Sequence, residues 1–373
     1  MAAALGLAAA GWHVAVFEEH DHVGMPVHCT GVLAEDLVSR LELPPGIVLN
    51  PLSTVRFVAP ARHSFEYTTA STEAVVIDRQ AFDAALGERA EKAGAEILRG
   101  RRVTQIEPES GGQRVSFAEH ESVLARAVIL ACGANYQFQK RLGLGMPTTF
   151  LQSAQLELPA GRPGDVEVHF GSEIAPKGFA WAVPVQRASG TFARIGVMAD
   201  GDAGLYFSRM LARVREAWEV SAPGDVLPRR KMLPLGSVRR TVADGVLAVG
   251  DAAGLVKPTT GGGIYYSVIS GEIAAEVLSA RLATGDLSAR ALMEYQRRWR
   301  DRFQSEFSAQ LALRFVAQKM RDSDIDALFT LATTDGILPL VRQTARFNTH
   351  RDFIMALLKH PPARRALFAR LAS

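Results

Sequence analysis

The sequence is short of cysteine, of long apolar runs and of any excess of one charge. It has two cysteines in 373 residues, Cys29 and Cys132. They cannot build a disulfide framework, and neither lies in a Cys-x-x-Cys pair, which argues against a zinc site. A reducing, cytoplasmic compartment is expected. Lys and Arg number 42 against 39 Asp and Glu, a formal charge of +3. That is too balanced for a protein that holds nucleic acid by neutralising phosphates. No stretch reaches the roughly 20 apolar residues of a spanning helix. The first 17 residues carry no Asp, Glu, Lys or Arg, yet no basic residue precedes Ala2-Ala3-Ala4, and Glu18-Glu19 end the run. A secretory signal would need that basic start. Gly11 divides the run into an Ala/Leu helix and a β-prone segment, His13-Val14-Ala15-Val16-Phe17. One more element is missing. In a dinucleotide-binding unit a Gly-x-Gly-x-x-Gly turn would stand just ahead of this helix, and none does. The expectation is that the sequence lacks a first strand and its glycine loop, with a true start upstream.

What is present suits a core-forming protein of about two domains: 48% of residues are apolar and 22% charged. Residues 22–34 read as a Gly/Pro/His/Cys-rich loop. Strands are expected at 55–58, 64–67 and 75–77, and an amphipathic helix over 79–93. A β-meander follows over 102–131, closed by a buried strand at 127–131. Residues 148–200 are short strands punctuated by Gly and Pro, ahead of a helix at about 204–220. A strand at 245–249 runs through a Gly-rich turn into a helix over 263–282, and the remainder is helical. The fold class is therefore α/β with an α+β insertion. A Rossmann-like domain would comprise 1–50, 78–147 and 236–287. An antiparallel-sheet domain would comprise 51–77 and 148–235, and a helical region 288–373.

Three groups of residues carry chemistry. Glu18 ends a buried strand, where a carboxylate can take ribose hydroxyls; a surface acid after a strand is the plainer alternative. Arg79, in the first turn of its helix, can reach a pyrophosphate with its fork of donors, or else is solvated. The most specific signal is Gly250-Asp251-Ala252-Ala253-Gly254 after a buried strand, followed by Pro258-Thr259-Thr260-Gly261-Gly262-Gly263-Ile264 entering a helix. Asp251 can accept from a ribityl hydroxyl. The glycines admit a flat ring, and the helix N-terminus favours negative charge on it.

Together, Glu18, Cys29-Thr30-Gly31, Arg79-x-x-Phe82-Asp83 and the Gly250 and Gly261 motifs resemble the geranylgeranyl reductase family. These are FAD-dependent flavoproteins of the p-hydroxybenzoate hydroxylase fold, and the resemblance covers residues 1 to about 290. It implies FAD contacts at Glu18, Cys29, Thr30, Gly31, Arg79, Val103, Asp251, Gly263 and Ile264. Cys29 would lie near the flavin ring, with Cys29 and His28 as candidate proton donors; a small residue packed in a tight loop is the other reading of Cys29. Gly178-Phe179-Ala180-Trp181-Ala182-Val183-Pro184 is similar to the family's aromatic-x-Trp-x-Phe-Pro substrate motif, with Val183 in place of Phe. Phe179, Trp181 and Pro184 are the implied substrate residues, against a reading as ordinary sheet core. Cys132, Tyr265 and Tyr266 read as core.

The implied activity is reduction of carbon–carbon double bonds in an isoprenoid lipid, with NADPH or reduced ferredoxin as donor. The rivals are a monooxygenase or halogenase on the same fold, whose Trp-rich halogenase signature is absent, and a flavin-free binding protein. Over 341–373, seven cations (Arg342, Arg346, Arg351, Lys359, Arg364, Arg365, Arg370) face one acid, Asp352, with Leu357, Leu358, Leu367, Phe368 and Leu371 between them. Two readings stand: a peripheral contact with a lipid surface, and a solvated basic helical end.

Overall fold

The computed structural model describes residues 1–222, 227–334 and 337–368. They divide into two compact units. One comprises Met1–Val27, Arg79–Thr149 and Pro234–Phe307; the other comprises His28–Asp78, Phe150–Leu233 and Ser308–Ser373.

The first unit is α/β. Its N-terminal helix Ala2–Ala9 leads into the strand Ala15–Phe17, which pairs in parallel with Glu96–Leu98. The helix Arg79–Lys92 precedes that second strand and buries Phe82, Leu86 and Ala90. A second parallel pair joins Val128–Leu130 to Val246–Ala248. The strands Val103–Glu109, Gly112–Phe117 and Val123–Ala125 form a separate antiparallel meander. Small residues set the helix packing: a Cβ on Gly6 would lie 2.7 Å from the Ala275 methyl carbon, so helix Ala2–Ala9 and helix Ile264–Thr284 approach closely. Helix Ala289–Ala317 seals this core with Tyr295, Trp299, Phe303 and Phe307. The polar tips of its aromatics are satisfied. Tyr295 donates to the Ala248 carbonyl at 2.8 Å and Trp299 Nε1 to Thr241 Oγ1 at 3.0 Å.

The second unit holds a seven-stranded sheet. Its order is Arg229–Pro234, Phe150–Pro159, Gly190–Ala199, Phe179–Arg187, Val166–His169, Thr54–Val58, Ser64–Thr68. From Phe150–Pro159 to Ser64–Thr68 four pairings are antiparallel, and that of Val166–His169 with Thr54–Val58 is parallel. Helix Ala203–Val214 covers one face, packing Phe207 and Met210 against Ala154, Ala180, Ala182, Ile195 and Val197. Alternation along each strand then places Gln155, Glu157, Trp181, Val183, Arg194 and Gly196 on the other face. A second, three-stranded sheet has the order Val32–Ala34, Ala74–Ile77, Val48–Leu52.

The fold class and the helical C-terminal region agree with expectation. Two local readings differ. The expected loop 22–34 ends early, because Val32 and Leu33 pair with Val76 and Val75. The strand at 127–131 does not close the meander but lies parallel to Val246–Ala248. Short strands buried on both faces lack the alternation that would reveal a partner, and only long-range packing selects one.

Trp181 is nine-tenths buried and stands opposite Gly196 on the next strand. A Cβ on Gly196 would fall 2.3 Å from the indole Cζ2, so the ring lies on bare backbone. Gly196→Ala is expected to destabilise the protein by about 1–3 kcal/mol through overpacking. The urea midpoint should fall at constant slope. Adding Trp181→Phe, which lacks the clashing atoms, should restore part of the loss. An unchanged midpoint in Gly196→Ala would show that the indole can move away freely.

Candidate functional site

In the first unit the site is built where a strand hands over to a helix. Strand Val246–Ala248 ends in a single 3-10 turn, Gly250–Ala253, which presents Asp251. The helix Ile264–Thr284 begins beside it, with Gly263 at its N-cap and no side-chain cap. A Cβ on Gly263 would lie 2.7 Å from Asp251 Oδ1. The carboxylate thus rests against the start of a 21-residue helix, whose dipole favours negative charge there. Backbone contacts fix the turn. Tyr136 donates to the Asp251 carbonyl at 2.7 Å, and Gln139 Nε2 to the Ala252 carbonyl at 3.0 Å. Burial, with the Asp251 charge adding to it, pushes the Tyr136 phenol well above its ordinary range, so it stays a neutral donor. Cys132 donates to the Asn135 carbonyl, and burial raises its thiol above the usual value. Tyr266 is buried in the core and Tyr265 packs against it.

Glu18 follows strand Ala15–Phe17 directly, and its carboxylate is 27% exposed. Oε1 accepts from the His20 backbone N–H at 3.0 Å and meets His20 Nδ1 at 2.7 Å. Arg79 opens its helix but is held by Asp83, which accepts from Nε at 2.9 Å and from Nη2 at 3.1 Å. The (i, i+4) pair fixes the guanidinium and engages part of its fork. Val103 begins the meander strand, pairs with Phe117, and is followed by a register shift. The cradle fits a dinucleotide flavin. It offers an uncapped helix N-terminus, an adjacent carboxylate, and a glycine position at which a side chain would fill the space.

In the second unit the structure brings the Cys29 loop and the Trp181 strand to one sheet. Thr30 Oγ1 donates to Gln155 Oε1 at 2.7 Å, and the Thr30 carbonyl accepts from Arg194 Nη1 at 2.7 Å. Both partners lie on the sheet face that carries Trp181. Phe179 stands beside Trp181 with ring centroids 5.7 Å apart, and Phe170 is 6.2 Å from Phe179. Pro184 ends this stretch, and its carbonyl accepts from Asn50 Nδ2 at 3.3 Å. Cys29 Sγ accepts from the Gly31 N–H at 3.3 Å. His28 Nε2 is 3.0 Å from the Arg229 carbonyl, so that nitrogen carries its proton. Burial, helped by the Lys231 and Arg229 charges, holds the His28 imidazole below its ordinary value. It is therefore neutral at pH 7.

Residues absent from the sequence-based list anchor this face. Arg187 meets Asp78 Oδ2 and Glu157 Oε1, each at 2.6 Å, and Arg194 Nε donates to Glu157 Oε2 at 2.6 Å. The available signal was Gln155 and Glu157 alternating with Ala154, Leu156 and Leu158, and Arg194 within Phe192-Ala193-Arg194-Ile195. On the C-terminal helices, Leu367 is buried and Leu357 packs against Ala332, Ile337 and Ala363, while Arg351, Lys359, Arg364 and Arg365 are exposed. Arg370 and Leu371 lie outside the described residues. No helix among the described residues is long and apolar enough to cross a membrane.

Comparison with known proteins gives the family and the fold. The FAD-dependent oxidoreductase family matches residues 33–276. Digeranylgeranylglycerophospholipid reductase of Methanoculleus marisnigri is 32% identical over 80% of this chain and 78% of that one. Digeranylgeranylglycerophospholipid reductase 2 of Methanopyrus kandleri is 31% identical over 91% of this chain and 89% of that one. Among solved structures, a geranylgeranyl bacteriochlorophyll reductase-like protein of Thermoplasma acidophilum superposes with a TM-score of 0.83 at 19% identity. It covers 99% of this chain and 96% of that one. A point mutant of the halogenase PltM in complex with FAD reaches 0.65 at 17% identity, over 99% of this chain and 83% of that one. At these identities the two structures establish the fold.

The Glu157 carboxyl responds to opposing effects. Burial alone would raise it, and the hydrogen bonds and charges of Arg187 and Arg194 more than reverse this, holding it below its ordinary value of 4.5. A depressed folded value contributes stability that is complete above pH 4.5 and is lost as pH falls through the folded value. Glu157→Gln leaves the buried Arg194 without its counter-charge and should cost about 3 kcal/mol at pH 7. Urea titrations at pH 7 and pH 4 should show the gap between parent and variant narrowing at the lower pH. A gap independent of pH would contradict the ion-pair reading.

Proposed function

The chain belongs to the geranylgeranyl reductase family of FAD-dependent oxidoreductases, and from that premise we propose that it saturates carbon–carbon double bonds in an isoprenoid lipid. The observation that carries this reading is the shared sheet face. One surface of the second unit bears a thiol-containing loop together with the Phe170–Phe179–Trp181 aromatic row. An apolar, aromatic wall suits a polyprenyl chain, which has no polar group to recognise along its length. The curated relatives are named as reductases of a digeranylgeranyl glycerophospholipid, and a lipid of that kind is the substrate class we assign.

Glu18, Arg79, Val103, Asp251, Gly263 and Ile264 are the residues we assign to hold FAD, with Cys29, Thr30 and Gly31 carried over from the family pattern. When bound, FAD supplies the hydride that one alkene carbon takes. The other carbon needs a proton, and the chain offers two sources. The Nε2 proton of His28 is directed to the Arg229 carbonyl, and its imidazole is neutral. Cys29 Sγ accepts a backbone N–H, which orients the sulfur and leaves its own proton to donate. We therefore assign the proton to Cys29 in preference to His28. Trp181 and Phe179 exclude water and orient the chain. The donor that reduces the flavin is of the NADPH or reduced-ferredoxin class. Any lipid-surface contact through the C-terminal helices rests on their exposed cations, because Leu357 and Leu367 already pack inward.

Two variants separate the parts of this reading. Asp251→Ala removes a charged acceptor worth about 1.5–3 kcal/mol, so FAD affinity should fall roughly ten- to a hundredfold with the circular dichroism spectrum unchanged. Equal affinity would remove Asp251 from the cofactor site. Trp181→Leu should keep FAD and fold while turnover of a geranylgeranyl substrate collapses. A variant that unfolds instead would make Trp181 a core residue.

A further inference from the structure

We propose that Arg194 is a positioning residue that sets the Cys29-Thr30-Gly31 loop, and hence the thiol, against the sheet. Its side chain is 3% exposed. A buried guanidinium is costly unless its charge and its donors are both satisfied. Charge balance needs only Glu157, which takes Nε at 2.6 Å. The remaining fork does something else. Nη1 donates to the Thr30 carbonyl at 2.7 Å and to the Ile77 carbonyl at 3.0 Å, bridging the residue after Cys29 to the end of strand Ala74–Ile77.

The loop is shaped to receive it. Gly31 has φ +63, and a Cβ there would lie 2.4 Å from Arg194 Nη1 and 2.8 Å from the Ile77 carbonyl oxygen. The Ile77 N–H donates back to the Gly31 carbonyl at 2.7 Å. The Gly31 N–H in turn holds Cys29 Sγ, and Thr30 Oγ1 is fixed on Gln155. These polar contacts of Thr30 and Gly31 lead to Arg194, to a neighbour on its sheet face, to Ile77 and to the thiol. Lysine cannot replace this arrangement, since a single ammonium lacks the planar fork that serves Glu157 and two carbonyls at fixed angles.

The functional weight of the inference rests on the reading of Cys29 as the proton donor, but its test does not. The holoprotein is alkylated with iodoacetamide, and the Cys29 peptide is followed by mass spectrometry in the parent, in Arg194→Lys, in Gly31→Ala and in the double variant. Arg194→Lys should label about ten- to a hundredfold faster, the factor expected for losing a charged hydrogen bond that holds a local segment closed. The double variant should be no faster than the faster single one, because both changes break one contact. An unchanged rate in a folded Arg194→Lys, or rates that multiply in the double variant, would overturn the proposal. If Arg194→Lys does not fold, Gly31→Ala takes its place; its methyl group displaces Nη1 from the Thr30 carbonyl, and labelling that stays at the parent rate again rejects the role. With a polyprenyl substrate, kcat should fall with loop release while KM holds. A parent without any such turnover would count against the proposed function alone and leave the labelling result standing.

Discussion

The second unit depends on how a positive charge is accommodated inside a sheet. Arg194 stands on a strand whose neighbouring residues, Ala193 and Ile195, are fully buried. It is tolerable there because Glu157 sits directly opposite in register and because carbonyls from two other segments complete its donor set. Glu157 in turn needs Arg187, and Arg187 ties in Asp78. The loop that carries Cys29 is therefore placed by the same network that makes the sheet's charge balance close. Removing Glu157 leaves the buried Arg194 without its counter-charge.

The first unit solves a related problem with backbone in place of side-chain charge. The turn Gly250–Ala253 is held through its backbone. Its carbonyls are gripped by Tyr136 and Gln139, and its carboxylate lies at a helix start where only glycine fits. Helix Ala289–Ala317 reaches the same strand through Tyr295 on the Ala248 carbonyl. The turn is thus preorganised by neutral donors to its carbonyls and lies beside a helix start whose dipole favours negative charge.

This difference explains what could be read from the sequence. The Asp251 cradle was legible because its parts follow one another along the chain: strand, turn, glycines, helix. The helix at Arg79 and the strand of Trp181 were legible from periodicity for the same reason. The Arg194 network was not, since Glu157 is 37 residues away and Thr30 is 164. A single sequence shows polar residues in apolar strands but not which of them face each other. Trp181 was read both as a substrate wall and as core. Its contact with Gly196 shows that it is packed on one side whatever its other side serves. The family's aromatic at position 183 is Val here, and it is fully buried at 2% exposure. The difference therefore falls within the packed strand, beside Trp181 and Phe179 on the same face.

The central claim is that this fold directs electrons from a flavin to an isoprenoid double bond, and one anaerobic experiment addresses it. The FAD-loaded protein is reduced, excess reductant is removed, and a geranylgeranyl glycerophospholipid is added while the visible spectrum is recorded and the lipid is analysed by mass. The account predicts return of the oxidised flavin bands without oxygen and a lipid heavier by about 2 Da for each bond saturated. Flavin that stays reduced until oxygen is admitted, with the lipid unchanged or oxygenated, would contradict it.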